Sequence, residues 1–547
     1  MAREADSQPS LSQGTDDHSA SFQLFEELNQ KCSDLLNEID ELQSLLNSAL
    51  RRPQLVELRQ FRAGVNSELR MLQRLEGQTK GHKGGYTTEA DPEVAMRLLH
   101  ALHSSNLPFY QAVWNAARGS CTGLVAMGKR FYWGSAEQSR DQQKKEKKED
   151  TSSGTGKPSN KDKRKSIFVD IVADDGKAWV KVSTISESRL IFEMAKKGWE
   201  GDSEDEFSDG DSSAPPKRTI LRNFDGEDSG EDSDDDELEL IKLARDLRKA
   251  ADATRVRYKH PQLRIILPKI EEGNVPEIDG ILKKMRGYGI KVECKNSLPA
   301  LASPAPLSRL LPQPFKNFTS TLNVDCTLLL AIVSDLSHFK EFAPTDKTHS
   351  AILRQVELEK EQPLLPTEIW PAMGGRELVC TKEAAARMRE IIDTLGTETE
   401  KQRVEIIFGD PPNDQLERRP LIEKIQNLSN WPVPVEWRLP VKVVEAREVI
   451  NAAREEGKFP PIARDVMQGL SEINHSIFMY GWATGMTTIS SNRSVDRQIE
   501  ATIENSRKGV DDDVEGPQVW VCETARSLRG KDRDRKEPNG VGQQTDV

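Results

Sequence analysis

Aromatic side chains and long apolar runs are both scarce in this sequence. Aromatics make up 6% and hydrophobic residues 36% of its 547 positions. That is too lean to bury the whole chain in packed cores, so unstructured segments are expected. The longest apolar run, around 328–333, falls far short of the roughly 20 residues needed to cross a bilayer. Residues 1–19 lack the apolar centre of a secretory signal. The six cysteines, Cys32, Cys121, Cys294, Cys326, Cys380 and Cys522, include no CxxC pair, which argues against a disulfide framework or a thiolate zinc site and for buried thiols in a reducing compartment. These absences predict a soluble intracellular protein, nuclear or cytoplasmic, with no membrane partner.

A surplus of negative charge is present, but in one place. The chain carries 77 basic and 89 acidic side chains, a net of −12, and residues 200–236 alone hold 15 acids and 3 bases. The remainder is neutral, so the low isoelectric point does not argue against a nucleic-acid-binding surface elsewhere. Within the acidic stretch Ser203, Ser208, Ser229 and Ser233 each precede carboxylates, the pattern read by an acidophilic kinase of the casein-kinase type. Each phosphate would add about −1.5 to −2. A plain solvated spacer is the competing reading. Residues 140–165 hold ten bases against five acids. Its cluster Lys161-Asp-Lys-Arg-Lys165 reads as a nuclear-localisation or nucleic-acid patch, or as a solvated linker.

Periodicity divides the rest. After a tail expected to be disordered (1–20), Phe25, Leu28, Cys32, Leu35, Ile39, Leu42 and Leu46 recur every three or four residues, a helical stripe. Pro53 interrupts it and Leu58, Phe61, Val65, Leu69, Leu72 and Leu75 continue, so an antiparallel hairpin is expected. It either packs on its own domain or pairs as a coiled coil with a protein partner. Helix is expected to persist over 91–133, closing a helical region 21–135. A basic linker, 136–164, follows. Over 165–295 the period falls to two, then alternates. Strands are expected at 166–173 and 178–184 around the turn Asp174-Asp175-Gly176, a helix at 187–198, and after the acidic insertion 200–236 a helix 238–251, strand 263–267, helix 278–288 and strand 290–294. A Pro-rich linker, 296–318, separates this α/β region from a last domain, 319–530, and a tail, 531–547.

The last domain opens on Thr321-Leu-Asn-Val-Asp-Cys-Thr-Leu-Leu-Leu-Ala-Ile-Val-Ser-Asp335. A short β-prone stretch ends in Asp325 and an apolar helix follows, which puts a carboxylate at the strand end where open α/β sheets form their ligand crevice. A strand at 377–381, a helix at 382–395 capped by Thr381, strands at 477–480 and 486–491, the segment Asn492-Arg-Ser-Val-Asp496 and a closing strand at 519–523 follow. On these residues the domain resembles PIN domains, which implies a PIN-like Rossmannoid α/β fold. The resemblance implies Asp325 as first metal ligand and Glu383, or less directly Glu390, as second. Asn492 stands where a third acid is expected, and Asp496 one turn later is its substitute. Catalysis there would use Mg or Mn ions held by Asp325, Glu383 and Asp496, since carboxylates must cluster to hold the ions that generate the attacking hydroxide. Asn492 brings an oxygen without charge. The blocks at 167–182, 322–336, 391–396 and 519–528 are similar to an uncharacterised eukaryotic family that joins an N-terminal domain of unknown function to a PIN-like one.

Half of a D…(D/E)xK nuclease arrangement is also visible in Asp170 and Lys181, with Trp179 where the second acid would stand. An ordinary hairpin ion pair is the competing reading. Two functions follow: a binding factor with a degenerate metal site, taking RNA or another nucleic acid in the crevice or a protein partner on the helical hairpin, or an active metal-dependent ribonuclease using Asp325 and Glu383.

Overall fold

A computed structural model describes residues 13–49, 56–80, 100–134, 165–197, 237–298, 305–341, 350–509, 512–522 and 527–529. The basic linker 136–164, the acidic insertion 200–236 with Ser203, Ser208, Ser229 and Ser233, and the tail 531–547 lie outside the described residues. The chain forms two compact units, the first of residues 1–256 and 260–313, the second of 257–259 and 314–547.

The first unit begins with α1 (Gln13–Ala49) and α2 (Arg59–Lys80). Helix α1 starts inside the stretch expected to be disordered. The apolar stripe from Phe25 to Leu46 is buried. Arg62 bonds Asp40 at 2.7 Å and the Cys32 thiol reaches the Val65 carbonyl at 3.5 Å, pairs that step in opposite directions along the two helices, so the hairpin is antiparallel. Its stripe packs into the unit's own core.

The expected helix over 91–133 is corrected: α3 (Leu107–Ser120) ends and β1 (Leu124–Trp133) follows. Cys121 turns the chain extended at φ −108° and ψ 155°, and Gly123 takes φ +60°, a conformation glycine adopts without strain. The aromatic end of β1 then pairs with β2 (Lys165–Ala173). With β3 (Ala178–Val182), β4 (Gln262–Leu267) and β5 (Ile290–Cys294) these make a five-stranded sheet in sequence order, antiparallel across β1–β2–β3 and parallel across β3–β4–β5. Asp174, Asp175 and Gly176 make the β2–β3 turn at φ 50°, 55° and 92°.

Alternation assigns the two faces. Ile171, Val180 and Ile266 face α1–α3. Val172, Trp179, Ile265 and Leu267 face α4 (Glu187–Lys196), α5 (Glu239–Asp252) and α6 (Pro276–Gly287). Part of the Pro-rich linker is also structured: Leu307 and Leu310 are buried in this core, at an i, i+3 spacing that one helical turn brings together.

The second unit is a doubly wound parallel α/β sheet. Its strands are β6 (Thr321–Val324), β7 (Glu377–Thr381), β8 (Lys442–Val444), β9 (Thr487–Ser490) and β10 (Val519–Val521). They lie in the order β10-β9-β6-β7-β8 with every pairing parallel. Leu322, Val324, Leu378, Cys380 and Ile489 face a core shared with α7 (Cys326–Val333), α8 (Asp335–His338), α9 (Ser350–Glu361), α10 (Trp370–Met373), α11 (Lys382–Leu395), α12 (Glu398–Phe408) and α13 (Arg418–Asn427). Val379 and Val519 face the other, with α14 (Ala446–Glu455), α15 (Ala463–Gln468), α16 (Glu472–Thr484) and α17 (Arg493–Ser506).

The expected strand at 477–480 is corrected to the middle of α16. Ser471 caps that helix and Gly485 ends it in the left-handed region, the stop–start chemistry of a helix. None of the six cysteines forms a disulfide. No helix among the described residues is long and apolar enough to cross a membrane.

Candidate functional site

Strand order places the crevice. β6 is the central strand, with β7 and β8 added on one side and β9 and β10 on the other. At such a reversal, the carboxyl ends of the two diverging strands leave an open crevice where α/β proteins bind ligands. Asp325 follows β6 and Ser490 ends β9, so both stand on its floor; Thr381 ends the neighbouring β7.

Each of these strand ends feeds a helix. Asp325 accepts from the Thr327 amide of α7 at 3.4 Å, Thr381 from the Ala384 amide of α11 at 3.3 Å, and Asn492 from the Val495 amide of α17 at 3.3 Å. Three helix N-termini therefore open at the same edge of the sheet.

Asp325 is 1% exposed. Its Oδ2 accepts from the Thr327 hydroxyl at 2.8 Å and from the Ser490 hydroxyl. Thr327 Oγ1 in turn accepts from the Ser491 amide at 3.2 Å, and Ser490 Oγ from the Asn492 amide at 2.9 Å. The carboxylate thus works as an internal tie between the central strand, α7 and the β9–α17 turn. Burial, and then the Asp325 charge, push the neighbouring Cys326 thiol up to about 12.

The other expected ligands are placed differently. Glu383 lies in the first turn of α11, and its Oε2 is buried with no protein partner. Asn492 uses its Oδ1 as a cap, accepting also from Ser494 at 2.8 Å. Asp496 pairs with Arg257 of the same unit at 3.7 Å, and burial raises its pKa. Glu390 pairs with Arg387 at 2.7 Å. Among the described residues no three His, Cys, Asp or Glu side chains stand close enough together to hold a metal ion. The expected set of Asp325, Glu383 and Asp496 does not gather, and the residues present do not fit a Mg or Mn pair.

Polarity continues below the crevice. On the face toward α16 the fully buried Asn323 donates to the Ile477 carbonyl at 2.8 Å and to Thr488 Oγ1 at 3.0 Å. Thr381 and Ser476 exchange a hydrogen bond at 3.1 Å. Asn323 and Asp325, and Thr488 and Ser490, are two residues apart and so share one face of the sheet. Period-two polar residues inside buried strands are the sequence signal that points to Ser490 and Thr488, which the strand-end acid alone does not. Bases stand near the crevice with acids beside them: Lys382, bonded to Glu445 at 2.6 Å, and Arg493 open α11 and α17, and Arg387, paired with Glu390, stands near the Cys326 thiol.

The D…K pair of the first unit has a structural role. Lys181 bonds Asp170 at 3.0 Å, the Val182 amide takes its second oxygen at 2.7 Å, and Trp179 is core.

Fold and crevice together define a doubly wound α/β protein. A family model described as "Protein of unknown function (DUF1308)" matches residues 322–418, which run from β6 through α12. No solved structure matches the chain.

Proposed function

We propose that the second unit is a PIN-like domain with a degenerate metal site, which binds single-stranded nucleic acid in the crevice and does not cut it. The observation that carries this reading is the occupation of Asp325: its oxygens are bonded within the protein, Asn492 is a cap, and Asp496 pairs with Arg257. The basic rim of Lys382, Arg387 and Arg493 favours a polyanion as the ligand, because phosphates are held by Lys and Arg whatever the sequence. Phosphorylation of Ser203, Ser208, Ser229 and Ser233 by an acidophilic kinase is a further part of the proposal, and it would weaken that attraction.

The test is binding and Mn²⁺-dependent cleavage of single-stranded RNA by the full chain and by Arg387→Glu and Asp325→Asn. Salt-dependent binding that Arg387→Glu weakens about 3–10-fold, with no cleavage by any form, is expected. Cleavage lost in Asp325→Asn would instead establish the metal-dependent ribonuclease. No RNA binding by the folded chain would turn the search to a protein partner on the outer face of the helical hairpin.

A further inference from the structure

Buried polar atoms without a protein partner gather at one place in the second unit's core, beyond the C-terminal end of α7. His338 is 1% exposed, and its Nε2 lies 2.6 Å from the Ile332 carbonyl. A carbonyl only accepts, so Nε2 carries the hydrogen and Nδ1 presents a lone pair. That Nδ1 is buried with no partner. The Trp370 ring stands edge to face beside it at 6.5 Å and 65°, and Trp437 lies 6.4 Å from Trp370. Both indoles are buried, and the Nε1 of each has no partner. An indole N–H only donates. One acceptor and two donors on successive neighbouring rings therefore have no protein partner, and a buried polar group left unpaired is costly.

We infer that this joint is a built site for one internal water, which donates to His338 Nδ1 and accepts from Trp370 Nε1, with Trp437 Nε1 as its second donor. The chemistry selects the occupant. An anion would meet the Nδ1 lone pair, and a cation would meet two N–H groups. Only a small neutral molecule that both donates and accepts satisfies all three, each through a bond of about 2.9 Å. The water ties three separate segments: α8 with His338, α10 with Trp370, and the run before β8 with Trp437. The Asn430 amide, bonded to the His338 carbonyl at 2.9 Å, fixes the same joint from outside.

A crystal structure of the full chain at water-resolving resolution tests this directly. A solvent peak within about 3.2 Å of both His338 Nδ1 and Trp370 Nε1 is expected. A protein donor on Nδ1, or ring edges closed on each other with no peak, overturns the inference. In solution, ultraviolet resonance Raman reports whether an indole N–H is hydrogen-bonded, and the wild-type spectrum minus that of Trp370→Phe isolates Trp370. A hydrogen-bonded signature is expected, and a free-indole signature overturns the site. If Trp370→Phe does not fold, the wild-type map alone decides.

Discussion

At the scale of single residues, three buried groups of the second unit carry testable polar interactions. Asp325 caps α7 and receives two hydroxyls, so Asp325→Ala should lower the unfolding free energy by about 1–3 kcal/mol. The urea midpoint should show this equally with and without Mn²⁺. Arg403, fully buried, bonds Asp335 at 2.7 Å and the Val333 carbonyl at 2.9 Å. Arg403→Met leaves a buried carboxylate uncompensated and should cost about 3–5 kcal/mol; adding Asp335→Asn should recover part of that loss. His338 is neutral because burial, and then Arg403, push its pKa down from 6.5 to about 3. Its stability contribution is complete above about pH 6.5 and is lost as pH falls, because the unfolded chain takes up a proton the folded chain refuses. The expected slope is about 1.4 kcal/mol per pH unit. His475 shares the sign, lowered by burial and Arg454. Glu400, raised by burial, has the opposite sign. Urea midpoints of wild type and His338→Phe between pH 6.5 and 5 isolate the term, and equal slopes would refute it. Asp325 was legible in the sequence because a strand, an acid and an apolar helix adjoin along the chain. Its bond to Ser490 was not, because that contact spans 165 residues.

At the scale of elements, the fold depends on how closely α16 rests on the sheet. Gly481 lies where a Cβ would come 2.1 Å from Thr488 Oγ1. Gly481→Ala should therefore destabilise the second unit by about 1–3 kcal/mol through overpacking. In a Thr488→Ala background the same change should cost clearly less, a coupling that a double-mutant cycle of thermal midpoints measures. The elements read from their period include β7 and β5 to the residue, while α8–α10, α12–α15 and β8 were not read at all. The two misread segments have a common cause. The run Ile477-Phe-Met-Tyr480 is apolar on every position, so neither period shows, and only the flanking Ser471 and Gly485 distinguish helix from strand. In 124–133 the apolar residues can be read at either period, and the glycine turn before them decides. The crevice itself could be placed only once strand order was known, since spacing along a chain does not reveal which strand is central.

At the scale of the molecule, charge and closure matter most. All of the net −12 can be assigned to residues 200–236. Deleting them should strengthen RNA binding by the full chain at low salt, with the gain fading as Debye screening shortens; fluorescence anisotropy across a salt series measures it, and an unchanged affinity would remove that segment from the binding account. Closure involves Glu400, fully buried, whose carboxylate accepts from the Asp335 and Thr397 amides at 3.0 Å and from the Arg529 amide at 2.9 Å. Ser334 Oγ also bonds the Ser527 carbonyl at 2.7 Å. This arrangement bears on synthesis. A ribosome makes the central strand β6 first and its neighbour β9 more than 160 residues later, and the last amide that satisfies Glu400 comes later still. A chain that stops before Arg529 holds a buried carboxylate one donor short, so the second unit completes its buried hydrogen bonds only once that residue is made, rather than strand by strand.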